Sequence, residues 1–307
     1  MVNPNFNAKT TRTEYAETGA VVLRDFFNGE FIELIRERFG TLVSSPTDKY
    51  QSGFSRVGYD LFEDLDVLRP LLKNEHFRMH MYELHREELI FTQALGFELV
   101  ANINKGFPWH IGTQSFGYQR AEDFGCTIWI PLIPIDPQKQ GGGMQYVKRS
   151  DVSGNFMYRD VDPRVFEILE KREQTNESVT VEEYVAFRDG PLNDPGMKSI
   201  LDTFAVEPKL DLGDAILFDK NVIHASVPMK PGIHSTRQAL AIRFISPESR
   251  FDEKRANRLE IPRRMLDFKG PTRFHLELGL ADGELLRLSP RLASTLADRN
   301  LQCVDAA

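Results

Sequence analysis

Apolar residues recur at helical spacing in Phe31-Ile32-Glu33-Leu34-Ile35-Arg36-Glu37-Arg38-Phe39 and again across residues 79–95, which predicts a mostly helical N-terminal support over 1–96. Inside it, Gly19-Ala20-Val21-Val22-Leu23 predicts one short strand. From Phe97 the period changes. Residues 97–104, 115–118, 126–132 and 144–147 are short, aromatic and β-branched runs separated by Gly or Pro, the pattern of closely spaced strands. Residues 151–204 turn helical again, most clearly at 165–169 and 181–185. Strand patterns return at 205–210, 215–218 and 239–244, with Leu212-Gly213-Asp214 as a turn between the first two.

One β-set, 97–150 and 205–246, is therefore interrupted by a helical insert over 151–204, long enough to act as a lid or to shape a substrate site. The tail, 247–307, is charged and helix-prone. The expected fold is an all-β core with helices, a jelly-roll sandwich backed by the N-terminal helices, in a single domain spanning 1–307. Two separate domains are the alternative.

Composition narrows the function. The chain has 307 residues, 41% of them hydrophobic, enough for a large core and too many for a disordered chain. Its formal charge of −7 opposes non-specific attraction to nucleic acid or to anionic membranes. No apolar run approaches the roughly 18 residues of a bilayer span, and Met1-Val2-Asn3-Pro4-Asn5-Phe6-Asn7 has no basic-then-apolar leader pattern, so a cytoplasmic protein is expected. The two cysteines, Cys126 and Cys303, form no CxxC pair, and Cys126 in its apolar run reads as core. Any metal must then depend on the seven histidines.

Two of these are placed for chemistry. His110 follows a predicted strand in Asn104-Lys105-Gly106-Phe107-Pro108-Trp109-His110-Ile111-Gly112, and His224 follows another in Asp219-Lys220-Asn221-Val222-Ile223-His224-Ala225-Ser226. Arg237 opens the last core strand. Two imidazoles and a guanidinium suit a divalent metal beside a carboxylate-bearing co-substrate, because the guanidinium fork binds a carboxylate through paired hydrogen bonds. Each histidine taken alone is more often a hydrogen-bonded core residue.

The order Trp109-His110, Trp129, Gly141-Gly142-Gly143-Met144-Gln145-Tyr146-Val147, Gly213-Asp214, His224-Ala225-Ser226 and Arg237 resembles the phytanoyl-CoA dioxygenase family. That resemblance runs from about Gly19 to Phe244 and implies an iron(II)- and 2-oxoglutarate-dependent oxygenase on a double-stranded β-helix, using O2 on a small-molecule substrate, as in secondary metabolism. It implies that His110 and His224 ligate iron and that Arg237 holds the distal carboxylate of 2-oxoglutarate, assisted by Ser226. Trp129 would wall the co-substrate pocket, and Asn104 or Asn102 would reach the co-substrate from the preceding strand. Gln119 and Arg120 would be candidate grips for a polar substrate. No nucleic-acid or membrane partner is implied, and the protein would be a monomer or homodimer.

One position departs from the family's His-x-Asp or His-x-Glu motif: the sequence has His110-Ile111-Gly112, and glycine supplies no ligand atom. The resemblance then extends to the iron and 2-oxoglutarate halogenases, whose motif is His-x-Gly or His-x-Ala. Three chemistries stay open. Chloride or bromide fills the vacated position and is transferred to carbon, water fills it and the enzyme hydroxylates, or the site has decayed or been altered and the protein binds a ligand without turnover. A carboxylate there would both occupy the place of an anion and repel it; glycine removes both obstacles.

The remaining motifs read blandly. His76 and His80, with Glu83 and Glu87, lack the His-Glu-x-x-His arrangement and suggest a solvated helix face. Gly141-Gly142-Gly143 lacks a following Gly-Lys-Ser/Thr and reads as a turn. Residues 250–258, with Arg263 and Arg264, mix both signs, as an exposed helix face does; a basic pocket for an anionic substrate is the sharper alternative. His234 reads as a loop residue.

Overall fold

The computed structural model describes residues 1–45, 53–59, 61, 68–266 and 274–292. The parts of the tail at 267–273 and 293–307, Cys303 included, lie outside the described residues.

The N-terminal layer consists of α1 (Ala8–Thr18), β1 (Ala20–Leu23), α2 (Gly29–Leu42), β2 (Arg56–Gly58), α3 (Leu68–Lys73) and α4 (Glu75–His85). Asn7, Asn28 and Asn74 cap α1, α2 and α4 by accepting from Thr10, Phe31 and Phe77 backbone N–H groups, which satisfies donors that a helix start leaves open. The core strands are β3 (Ile90–Val100), β4 (Gly125–Pro131), β5 (Met144–Val147), β6 (Ala205–Val206), β7 (Ala215–Asp219), β8 (His224–Ser226) and β9 (Thr236–Ile245). Between β5 and β6 lies the insert, with a π-helical turn at Met157–Val161 followed by α5 (Asp162–Gln174), α6 (Val181–Asn193) and α7 (Pro195–Phe204). Two short helices, α8 (Glu253–Arg258) and α9 (Glu260–Leu266), follow the core.

The larger sheet has the order β1-β7-β4-β9-β3-β2, antiparallel throughout, and the smaller has the order β6-β5-β8. The period of two along each strand sorts the side chains. Cys126, Ile128 and Ile130 of β4 and Leu240, Ile242 and Phe244 of β9 pack outward against Phe31, Ile32, Ile35 and Phe39 of α2 and Phe77 and Met81 of α4. The alternate residues, Trp129 of β4 and Ala239 and Ala241 of β9, turn inward toward Met144 and Tyr146 of the smaller sheet.

Three sequence expectations change. The helical pattern over 79–95 ends at His85, because Arg86 adopts φ 62° and its N–H closes on the Tyr82 carbonyl; β3 then starts at Ile90. Both faces of β3 are buried, so its apolar run lacks the alternation that marks a half-exposed strand. Residues 115–118 are no strand: Gln114–Phe116 form a 3-10 turn, and Phe116 and Tyr118 are apolar because they enter the core of the insert. Of 205–210 only Ala205–Val206 pairs as a strand, since Pro208 has no N–H to continue the ladder; Leu210 makes a single bridge to Ile135.

Two smaller readings are also corrected. His80 is buried, not solvated, with Nε2 bonded to the Asn3 carbonyl at 2.9 Å, while His76 is exposed. The Arg-rich 250–264 stretch is a seam of ion pairs, in which Arg255 meets Asp162, Arg258 meets Glu170 and Arg264 meets Glu173, tying the tail to α5.

Candidate active site

His110 and His224 stand side by side, their ring planes tilted by 53°. The His110 segment pairs with the end of β8 by an antiparallel bridge, extending the smaller sheet by one residue, and the imidazole centres stand 4.3 Å apart. Each ring is held by the chain just before it: Nδ1 of His110 donates to the Pro108 carbonyl at 2.8 Å and Nδ1 of His224 to the Val222 carbonyl at 2.9 Å. A carbonyl only accepts, so Nδ1 carries the proton and each Nε2 keeps its lone pair. Burial pushes His110 down to about 4 and holds His224 well below its ordinary value, so both rings are neutral at neutral pH and each keeps a lone pair for a metal. Phe107 packs on His110 and Phe218 on His224, fixing the ring planes.

A cavity lies between the sheets in front of this pair. Phe97, Thr127, Trp129, Phe218, Arg237, Ala241 and Arg243 line it from the larger sheet, with Met144, Ala225 and Ser226 from the smaller. Arg237 is 2% exposed; its Nε donates to the Gly142 carbonyl at 2.6 Å and its guanidinium lies over the Trp129 ring at 5.5 Å. Among the described residues no acidic side chain lines the cavity beside Arg237, and burial holds it down to about 9. A buried guanidinium without a counter-ion is costly unless an anion joins it. The Gly-rich run is thus a turn with a purpose: Gly142, at φ +81°, places its carbonyl on Arg237.

The structure brings His110, His224, Trp129, Ser226 and Arg237 to one cavity. Ser226 has a second task, since its Oγ accepts from the Phe107 N–H at 3.1 Å and so fastens the loop that leads to His110. Asn102 and Asn104 are not part of the lining: Asn102 is an exposed residue at φ 60°, and Asn104 closes its own turn by accepting from the Val100 N–H. Gln119 is fully buried with its amide turned to the Asp123 and Phe124 carbonyls, and Arg120 pairs with Asp282 and Asp252. Neither reaches the cavity.

Gly112 lies beyond His110. An added Cβ there would meet Ser115 Cβ at 3.7 Å and Phe116 Cδ2 at 3.8 Å, ordinary contacts, so the backbone at this position accepts a side chain at its first carbon. No group of three metal-binding side chains exists among the described residues, and His110 and His224 are the pair that could hold a metal here. The donor set still fits an iron and 2-oxoglutarate pair: two Nε2 lone pairs side by side, a keto acid's two oxygens, and a buried guanidinium for its far carboxylate.

Sequence reasoning missed Thr127 and Arg243. The signal was parity: Thr127 stands two before Trp129 on β4, and Arg243 shares the inward register of Arg237, Ala239 and Ala241 on β9. Arg243 donates to Gln93 Oε1 at 3.2 Å, and Gln93 in turn donates to the Ser115 carbonyl at 3.0 Å, which links β9 to the turn after Gly112.

No family model and no curated protein matches the sequence. Solved structures do match. The non-heme alpha ketoglutarate dependent carbocyclase SnoK from nogalamycin biosynthesis aligns at TM-score 0.59 and 12% identity, covering 93% of this chain and 95% of that one. The epimerase SnoN in complex with Fe3+, alpha ketoglutarate and nogalamycin RO aligns at TM-score 0.58 and 12% identity, over 91% and 94% of the two chains. EctD from S. alaskensis with bound Fe aligns at TM-score 0.54 and 12% identity, over 79% and 78%. The architecture is therefore the double-stranded β-helix of these enzymes, with helices on its outer face. No helix among the described residues is long and apolar enough to cross a membrane.

Proposed function

We propose that this protein is an iron(II)- and 2-oxoglutarate-dependent enzyme that places chlorine or bromine on an aliphatic carbon of a small molecule. One observation carries the reading: the cavity is lined by two neutral imidazoles and two guanidiniums, and among the described residues no acidic side chain lines it. Such a site welcomes anions. His110 and His224 would hold iron, Arg237 the distal carboxylate of 2-oxoglutarate, and Trp129 would wall the co-substrate, with Thr127 and Ser226 at its sides. Iron bound with 2-oxoglutarate and O2 supplies an oxidant able to remove hydrogen from an unactivated C–H bond.

The chain's residues do the rest. Gly112 leaves open the ligand position that a carboxylate would fill and removes the negative charge that would repel a halide. Arg243 adds positive charge to the same cavity. The insert packs against the far side of the His110 segment, and core, insert and tail would work as one domain.

The test has two stages. Anaerobic titration with iron(II) and 2-oxoglutarate should give a visible charge-transfer band, whose absence removes the enzyme reading. Succinate release over a substrate panel with saturating chloride, followed by mass spectrometry, should give a chlorinated product; oxygenated product alone assigns hydroxylation instead.

A further inference from the structure

Trp109, the residue before His110, is 2% exposed, and Ile111, the residue after it, is 3% exposed. Alternation along an extended segment sends both away from the His110 ring, and they enter one apolar cluster with Leu192 of α6 and Leu201 of α7. The insert also grips Trp109 by its polar atoms. Asp202 of α7 accepts from the indole Nε1 at 2.9 Å, and Asn193 of α6 donates to the Trp109 carbonyl at 2.8 Å. Beyond Gly112, Gln114 donates its amide to the Tyr184 hydroxyl of α6. The histidine segment is thus held on one side by the smaller sheet and on the other by the insert.

Local sequence accounts for the grip. Asp194 caps α7 and Pro195 opens it, a start that fixes the angle between α6 and α7 and with it the side of α7 that carries Asp202. Lys198, one turn earlier, pairs with the same carboxylate and leaves Oδ1 for the indole.

We infer that Asp202 and Asn193 are positioning residues for His110, so that a docked insert is a condition for tight metal binding. The inference rests on the reading of His110 as a metal ligand. A ligand imidazole must stand within a few tenths of an ångström of its place, and groups that orient it typically govern affinity by about 10- to 100-fold. By linkage, metal binding must stabilise the docked insert by the same factor by which the docked insert tightens the metal.

Cobalt(II) alone serves as the probe, titrated into the full chain by calorimetry and by its visible spectrum. Asp202→Ala should weaken cobalt binding about 10-fold. Asp202→Asn, which keeps an oxygen acceptor for the indole, should restore most of that loss, and Lys198→Ala, which removes only the ion pair, should bind as wild type. Metal should slow amide exchange in α6 and α7 of the wild type and not of Asp202→Ala. Wild-type cobalt affinity in Asp202→Ala, with His110→Ala having lost it, overturns the inference. Wild-type affinity in His110→Ala instead overturns the metal-ligand reading beneath it.

Discussion

His110 and His224 form a directly opposed antiparallel pair, each backbone N–H donating to the other's carbonyl at 3.0 Å. This register decides whether the site exists. Side chains alternate faces along a strand, so a slip of one residue on either side would turn one imidazole away from the cavity. The pairing is supported from several directions: Ser226 bonds both the N–H and the carbonyl of Phe107, and the insert holds Trp109.

Gly112→Asp tests the chemistry at the vacated position. With ordinary contacts around an added Cβ, the variant should fold with its melting temperature nearly unchanged. Iron binding should tighten, and the share of halogenated product should fall at least about 10-fold in favour of oxygenated product, because the carboxylate occupies and repels. Mass spectrometry of products at saturating chloride measures it; an unchanged halogenated share would sink the proposed role of Gly112.

The parts of this site that were legible in the sequence are those set by strand-end position and residue type: His110, His224, Trp129 and Arg237. What was hidden depended on tertiary pairing. Asn102 and Asn104 sit near His110 in sequence, yet the chain between them turns back on itself, with Asn102 in the left-handed region and Asn104 bonded to Val100. Asp202 and Asn193 act on Trp109 across a distance in sequence that no local pattern encodes. The core fold was legible because alternation and helical spacing are local. β3 was misread because burial on both faces erases the alternation, and 115–118 because burial in the insert imitates strand composition.

Arg237→Met separates a binding role from a structural one. A charged hydrogen-bonded contact to a carboxylate contributes about 2–3 kcal/mol, so 2-oxoglutarate should bind roughly 100-fold more weakly. The ligand-free protein loses one bond to the Gly142 carbonyl but also sheds a buried charge with no acidic partner among the described residues, so its stability should change by no more than about 1 kcal/mol. Co-substrate titration beside urea unfolding checks both. A large loss of stability with unchanged co-substrate affinity would make Arg237 a structural residue.

Gly106→Ala addresses the approach to His110. Gly106 has φ +68°, and a Cβ there would stand 2.3 Å from both Cβ and Oγ of Ser226. The left-handed conformation and the overlap together should cost at least about 2 kcal/mol, and the loop must shift to relieve the contact. Melting should fall by several degrees and metal binding should weaken in parallel. Wild-type stability would mean that this loop does not depend on its close seating on Ser226.

Lys220→Met carries a pH dependence. Lys220 is 4% exposed, its Nζ donates to the Arg120 carbonyl at 3.1 Å, and it lies over the Tyr158 ring at 4.8 Å. Burial is the main cause that lowers its pKa from 10.5 to about 7, with Arg255 adding repulsion, and Asp123, Glu122 and Asp219 oppose both. A lysine depressed on folding binds its proton less well in the folded than in the unfolded chain. The resulting loss of stability is absent above pH 10.5, grows as pH falls toward 7, and is complete below 7, where it reaches on the order of 4–5 kcal/mol at most. Methionine keeps the length and removes the amine. Its stability relative to wild type should therefore be most favourable near pH 6.5 and decline steadily toward pH 10. Urea unfolding of both proteins at pH 6.5, 8 and 9.5 measures this difference, and a difference independent of pH would show that Lys220 keeps its charge in the folded protein without penalty.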